Sequence, residues 1–144
     1  MKNYTELVLP DVTVLIAWAW PNHQFHGAAD RWFESVQGPW ATCVLTELGF
    51  IRLSTNPIVV GTPKRPGEVL EKLSLITQDQ RHVYLSDLPE PRSWPVRKAF
   101  SKLSGTKQVT DAYLLCVGKH HGAKFVTFDG RMRTLSPADV DVLT

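Results

Sequence analysis

The sequence predicts an α/β fold, a three-layer sandwich in which a mostly parallel central sheet is flanked by helices. Three observations carry that expectation. Apolar runs of strand length alternate with longer stretches whose apolar residues recur at helical spacing, which is the pattern of a parallel sheet covered on both faces. No repeat or low-complexity tract interrupts the alternation. With 144 residues, 43% of them hydrophobic, the chain can bury one core without disulfides or a structural metal, and a single domain over 1–144 is expected.

Leu7-Val8-Leu9 reads as a buried strand, broken by Pro10-Asp11. Val12 to Trp20 is an apolar run long for a strand, and Asp11 is a good N-cap, so a helix is expected there despite its β-branched residues. Phe25, Ala28, Ala29, Trp32, Phe33 and Val36 mark an amphipathic helix over His23–Val36, closed by Gly38-Pro39. Trp40–Cys43 is the second strand. Leu45, Leu48 and Leu53 fit one face of the helix that follows, around Glu47, and Asn56-Pro57 ends it. Gly61 to Gly67 reads as a loop, Val69 to Asp79 as a helix and His82–Leu85 as a strand. The Pro-rich stretch 88–95 is extended, and a short helix over Val96–Leu103 stops at Ser104-Gly105. Thr110-Asp111 opens a helix that closes at His121-Gly122. Phe125–Phe128 is the fourth strand, Asp129-Gly130 a turn, and Asp139–Leu143 alternates like an edge strand.

Sixteen Lys and Arg against fourteen Asp and Glu make the chain slightly basic, too weakly to establish nucleic-acid binding from net charge alone. The stretches Arg92–Lys107 and Lys119–Arg133 are locally basic. Cys43 and Cys116 lie in apolar surroundings and read as free thiols in a reducing cytoplasm. The N-terminus has no apolar signal core and no segment approaches membrane-spanning length, so a cytoplasmic protein is expected.

Four acids stand at the ends of these elements. Asp11 follows the first strand and Asp129 the fourth, Glu47 lies in the first turns after the second, and Asp111 starts the helix leading into the fourth. All four can reach one crevice beyond the carboxyl ends of the strands, where α/β sheets bind ligands. Clustered carboxylates repel one another and persist mainly where cations neutralise them. Oxygen-only ligation points to Mg2+ or Mn2+, with phosphate as natural company. Taken singly, Asp11 and Asp111 are equally well read as helix caps, Asp129 as a turn residue and Glu47 as an outward-facing acid. The set of four is what favours chemistry.

The same residues resemble the PIN-domain family and, within it, the VapC-type toxins of bacterial toxin-antitoxin pairs. Leu9-Pro10-Asp11-Val12-Thr13 is similar to the family's first acidic motif and Thr46-Glu47-Leu48-Gly49-Phe50 to its second. Gln108-Val109-Thr110-Asp111 resembles the third and Phe125-Val126-Thr127-Phe128-Asp129 the fourth. The resemblance implies metal binding by Asp11, Glu47, Asp111 and Asp129, with Thr13, Thr110 and Thr127 as supporting hydroxyls; Thr13 stands where the family more often has Asn or Ser. It further implies hydrolysis of RNA phosphodiesters, a small cognate antitoxin and a possible homodimer. Arg52, Lys107, Arg131 and Arg133, close to the motif acids in sequence, are candidates for receiving RNA phosphates. Trp18, Trp20, Phe25 and Trp32 are core candidates that could also groove an antitoxin helix.

Other chemistries fare worse. His23 with His26 and His120 with His121 lack the Cys pair or H-E-x-x-H spacing of zinc sites, so zinc is not expected. Asp11-Val12-Thr13 only superficially resembles a phosphatase nucleophile motif, and Thr13 replaces its acid-base residue. Both glycine-rich nucleotide-binding signatures are absent. The alternative of a different class is a non-catalytic RNA- or protein-binding domain of the same fold.

Overall fold

A computed structural model describes residues 5–106 and 108–144. Its strands are β1 (Val8–Pro10), β2 (Trp40–Cys43), β3 (His82–Leu85), β4 (Lys124–Thr127) and β5 (Val140–Val142). Every pairing is parallel, in the order β3-β2-β1-β4-β5. The helices are α1 (Val12–Ala19), α2 (His26–Ser35), α3 (Val44–Ser54), α4 (Pro57–Val60), α5 (Pro66–Ile76), α6 (Trp94–Phe100) and α7 (Val109–His120). Two 3-10 turns, Gly130–Thr134 and Pro137–Asp139, lead from β4 to β5.

The alternation of strand side chains sorts the core into two layers. Val8, Trp40 and Val126 join Val14, Leu15, Phe33, Phe50 and Val69 on the face covered by α1, α2, α3 and α5. Their strand neighbours Leu9, Ala41 and Phe125 face the opposite way, against Leu114, Leu115, Val117 and Met132. The result is the expected three-layer sandwich, with the sheet parallel throughout. No helix among the described residues is long and apolar enough to cross a membrane.

Trp40–Cys43 and His82–Leu85 are strands over the expected residues, and Asp11 caps α1, accepting a hydrogen bond from Val12 N at 2.7 Å. Residues 57–60, ahead of the glycine-proline stretch, form α4, capped by Asn56 and ended by Gly61 at φ 82°, and α5 begins at Pro66, inside the stretch expected to be loop. The packed face of α3 is also not the leucine face: Leu45 and Leu48 are 37% and 59% exposed, while Thr46, Phe50 and Ser54 are buried. Two contacts fix that rotation. Thr46 Oγ1 turns inward to accept the Cys43 backbone N–H at 2.9 Å, and Gly49 sits against α1 so closely that a Cβ there would come within 2.9 Å of a Val12 methyl.

The aromatic candidates are largely core. Trp32 is buried, Trp18 stacks on Phe33 with ring centroids 3.8 Å apart, and Trp20 donates its indole N–H to Ser54 Oγ at 2.9 Å. Phe25 alone of the four is exposed, at 45%, and stacks on Phe128. Cys43 and Cys116 are buried free thiols.

Candidate active site

The central strands β1 and β4 end side by side, with Asp11 N bonded to Val126 O at 2.7 Å, and their carboxyl ends open into a cleft of about 560 Å³. Asp11, Asp111 and Asp129 line it together with Thr13, Thr110, Arg52 and Arg131. One hydroxyl organises two of the acids. Thr127 is fully buried; its Oγ1 donates to Asp11 Oδ2 at 3.0 Å and accepts the Asp129 backbone N–H at 3.0 Å. Thr13 Oγ1 lies 3.4 Å from the same Asp11 oxygen. Asp11 is thus fixed by a helix cap, a strand-end hydroxyl and a helical hydroxyl. Asp111 projects from the first turn of α7 rather than capping it, because Gln108 holds the cap position.

The electrostatics of the three acids differ. Burial, opposed by the Thr127 and Val12 hydrogen bonds, holds the Asp11 carboxyl above the usual carboxylate range. Asp111 is pushed up to about 7, first by burial and then by the charges of Asp11 and Asp129. Asp129 goes the other way: Arg131 donates to it from Nε at 3.0 Å and from Nη2 at 2.7 Å and lowers its pKa. The Arg131 side chain is 61% exposed. It is a surface cation neutralising one acid, and the other two repel each other in a partly dry cleft. The all-oxygen donor set of these acids matches the chemistry of Mg2+ or Mn2+.

Glu47 is not among the residues that line the cleft. Its Oε2 accepts from Thr42 Oγ1 at 2.6 Å, and because that hydroxyl has one proton to give, His82 Nε2, 2.8 Å away, must be the donor to Thr42. The Glu47 charge accordingly acts on His82, whose pKa is lowered by burial against the upward pull of Glu47 and Asp79. Arg52 reaches the cleft, Arg133 is exposed and does not line it, and Lys107 lies outside the described residues. His23, Gln24 and Phe25 line the cleft although no motif or spacing in the sequence points to them. They follow the Pro21-Asn22 stop of α1, and only the return of the chain over β4, marked by the Phe25–Phe128 stack, puts them beside the acids.

Comparison with known proteins agrees with this geometry. The family model described as PIN domain matches residues 8–136. Ribonuclease VapC39 of Mycobacterium tuberculosis is 34% identical over 94% of this chain and 98% of that protein. Ribonuclease VapC38 of the same organism is 35% identical over 90% of each. Among solved structures, that of M. tuberculosis VapC20, described as a sarcin-ricin loop cleaving toxin, superposes with a TM-score of 0.63 at 13% identity, covering 91% of this chain and 95% of that one, a likeness of fold. With a family match over most of its length and relatives above 30% identity across nearly all of it, this chain belongs to the PIN domain family.

Proposed function

We propose that the chain is a metal-dependent endoribonuclease, the toxin of a toxin-antitoxin pair, with Asp11, Asp111 and Asp129 as the residues that hold Mg2+ or Mn2+. The observation that carries this reading is the convergence of those three carboxylates on one arginine-bearing cleft. The relation to Ribonuclease VapC39 and Ribonuclease VapC38 supports the same reaction class. When bound, the metal supplies an activated water and stabilises charge on the phosphate and the leaving oxygen.

This chain's own residues do the positioning. Thr127 and Thr13 hold the Asp11 carboxylate through Oδ2, and Thr127 sets the Asp129 backbone. Arg52 and Arg131 receive backbone phosphates through charge-assisted hydrogen bonds. Phe25, exposed beside the acids, offers a face on which a base stacks. Glu47 takes part from outside the trio, through Thr42. A small antitoxin and a second copy of the chain are the protein partners of this reading, and exposed Val44, Leu45, Leu48 and Val109 supply apolar surface for such contacts.

The placement of Glu47 favours a second reading, in which the same cleft binds metal and RNA without turnover. Incubating wild type and Asp111→Asn with mixed RNA in Mg2+, in Mn2+ and in chelator separates the two. Cleavage by wild type alone, lost in chelator, is expected. Metal-dependent RNA binding with intact RNA would replace the nuclease by the binding role.

A further inference from the structure

The end of α7 remote from the acids carries His120 and His121, a pair whose sequence neighbourhood offers no third ligand. The fold supplies one. Asp87, in the segment after β3, comes to the end of α7, and one ligand atom from each of Asp87, His120 and His121 lies within 4.8 Å of the others. We propose that these three residues form a second metal site, specific for a borderline transition cation of the Zn2+ type and distinct from the carboxylate cleft. Asp111 and His120 are nine residues apart on one helix, which at 1.5 Å per residue separates the two places by roughly 13 Å.

The hydrogen bonds already arrange the ligands. His121 Nε2 lies 2.5 Å from the Asp87 backbone carbonyl. A carbonyl only accepts, so Nε2 carries the proton, and in the neutral ring Nδ1 keeps its lone pair. An imidazole fixed through one nitrogen to a backbone carbonyl, with the other free, is the usual outer support of a metal-binding histidine. His120 Nε2 lies 3.1 Å from Asp87 Oδ2, so a cation there replaces the proton the two now share. The two rings stand nearly perpendicular, 87° apart, with centroids separated by 5.0 Å, so neither blocks the other.

The surrounding charges permit a cation. His121 is the C-cap of α7, where the carbonyl ends of the helix are electronegative. Lys119, next to His120 in the chain, is paired with Asp139 at 3.8 Å. Two imidazoles and one carboxylate match Zn2+ far better than Mg2+, which prefers oxygen, so the two sites select different ions. A cation bound here clips the segment after β3, whose Pro89 carbonyl accepts the Tyr113 hydroxyl, to the end of α7.

The test uses untagged, chelator-stripped full chain carrying Asp111→Asn, so that the carboxylate cleft contributes least. It is titrated with Co2+ as a spectroscopic stand-in for Zn2+, while the histidine ring resonances are followed by NMR. One equivalent should bind, with selective perturbation of His120 and His121, and His120→Ala or His121→Ala should each weaken binding at least about tenfold. Zn2+ should raise the melting temperature of the parent and not of either variant. Unchanged affinity in both variants, or perturbation of His23, His26 or His82 in place of the pair, overturns the proposal. The ring resonances of the parent locate the bound ion even if a variant fails to fold.

Discussion

Asp111→Asn should stabilise the metal-free protein while it removes nuclease activity. The Asp111 carboxyl is pushed from an ordinary 3.8 up to about 7 by burial and by Asp11 and Asp129. Between those two values the folded chain holds a proton that the unfolded chain has released, so stability falls as pH rises through the window and levels off above it. From pH 5 to pH 8 the wild type crosses about two pH units of it, ~2.7 kcal/mol at 1.36 kcal/mol per unit. Because Asp111 is only partly buried, solvent screening reduces this to roughly 1 kcal/mol. Asparagine carries the shape of the acid without its charge, so the variant should gain roughly that amount on wild type between pH 5 and pH 8. Urea denaturation in chelator at the two pH values measures the gain, and Mg2+ or Mn2+ at pH 8 should restore the wild type and leave the variant unmoved. Parallel behaviour of the two proteins across the pH range would refute the claim that Asp111 carries a charge penalty in the empty cleft.

Gly49→Ala places a methyl 2.9 Å from Val12 and should cost about 1–2 kcal/mol in urea, recovered in part by a compensating Val12→Ala. Asp11→Asn should lower kcat on an RNA substrate by about a hundredfold or more, whereas Glu47→Gln, changed at a carboxylate that rests on Thr42, should lose less than about tenfold; equal losses would put Glu47 among the metal-holding acids. Arg131→Ala should weaken RNA binding and reduce the salt dependence of affinity by about one phosphate contact, read from binding at several salt concentrations. The Asp79 carboxyl is held down at about 2 by Arg81, so its stabilising effect is present above the ordinary 3.8 and is lost as pH falls through 2. Asp79→Asn should therefore be less stable than wild type in urea at pH 6, with the gap closing toward pH 2.

Most of the architecture is legible in the sequence because the local signals agree with the global fold. Asp11 is both a cap and the end of a strand, and Trp40–Cys43 is apolar at nearly every position because its two faces meet different core layers. The α3 face is not legible, because hydrophobicity competes there with shape. Leu45 and Leu48 are more apolar than Thr46 and Gly49, yet a buried cap and a close helix crossing need a hydroxyl and a missing side chain. The four residues of α4 are too few to show a period. Counting strand ends, with the helix leading into the fourth strand, suffices to bring Asp11, Asp129 and Asp111 into one cleft, while the direction of Glu47 depends on Thr42 and His82, an interaction no spacing rule contains. The same holds for Asp87, which lies 33 residues before His120.

The hydroxyl that joins Asp11 to Asp129 belongs to Thr127, 116 residues along the chain from the acid it fixes. A growing polypeptide therefore passes through most of its synthesis carrying Asp11 but no cleft, and a proteolytic product that ends before residue 124 has lost β4, the β1 neighbour whose end opens the cleft. The proposed nuclease activity therefore cannot begin until late in translation. A cut in the exposed turn after α6, near Ser104 and Gly105, would sort the acids into two inert pieces, one with Asp11 and the other with Asp111 and Asp129, and activity would return only if the pieces reassociate along the β1–β4 seam.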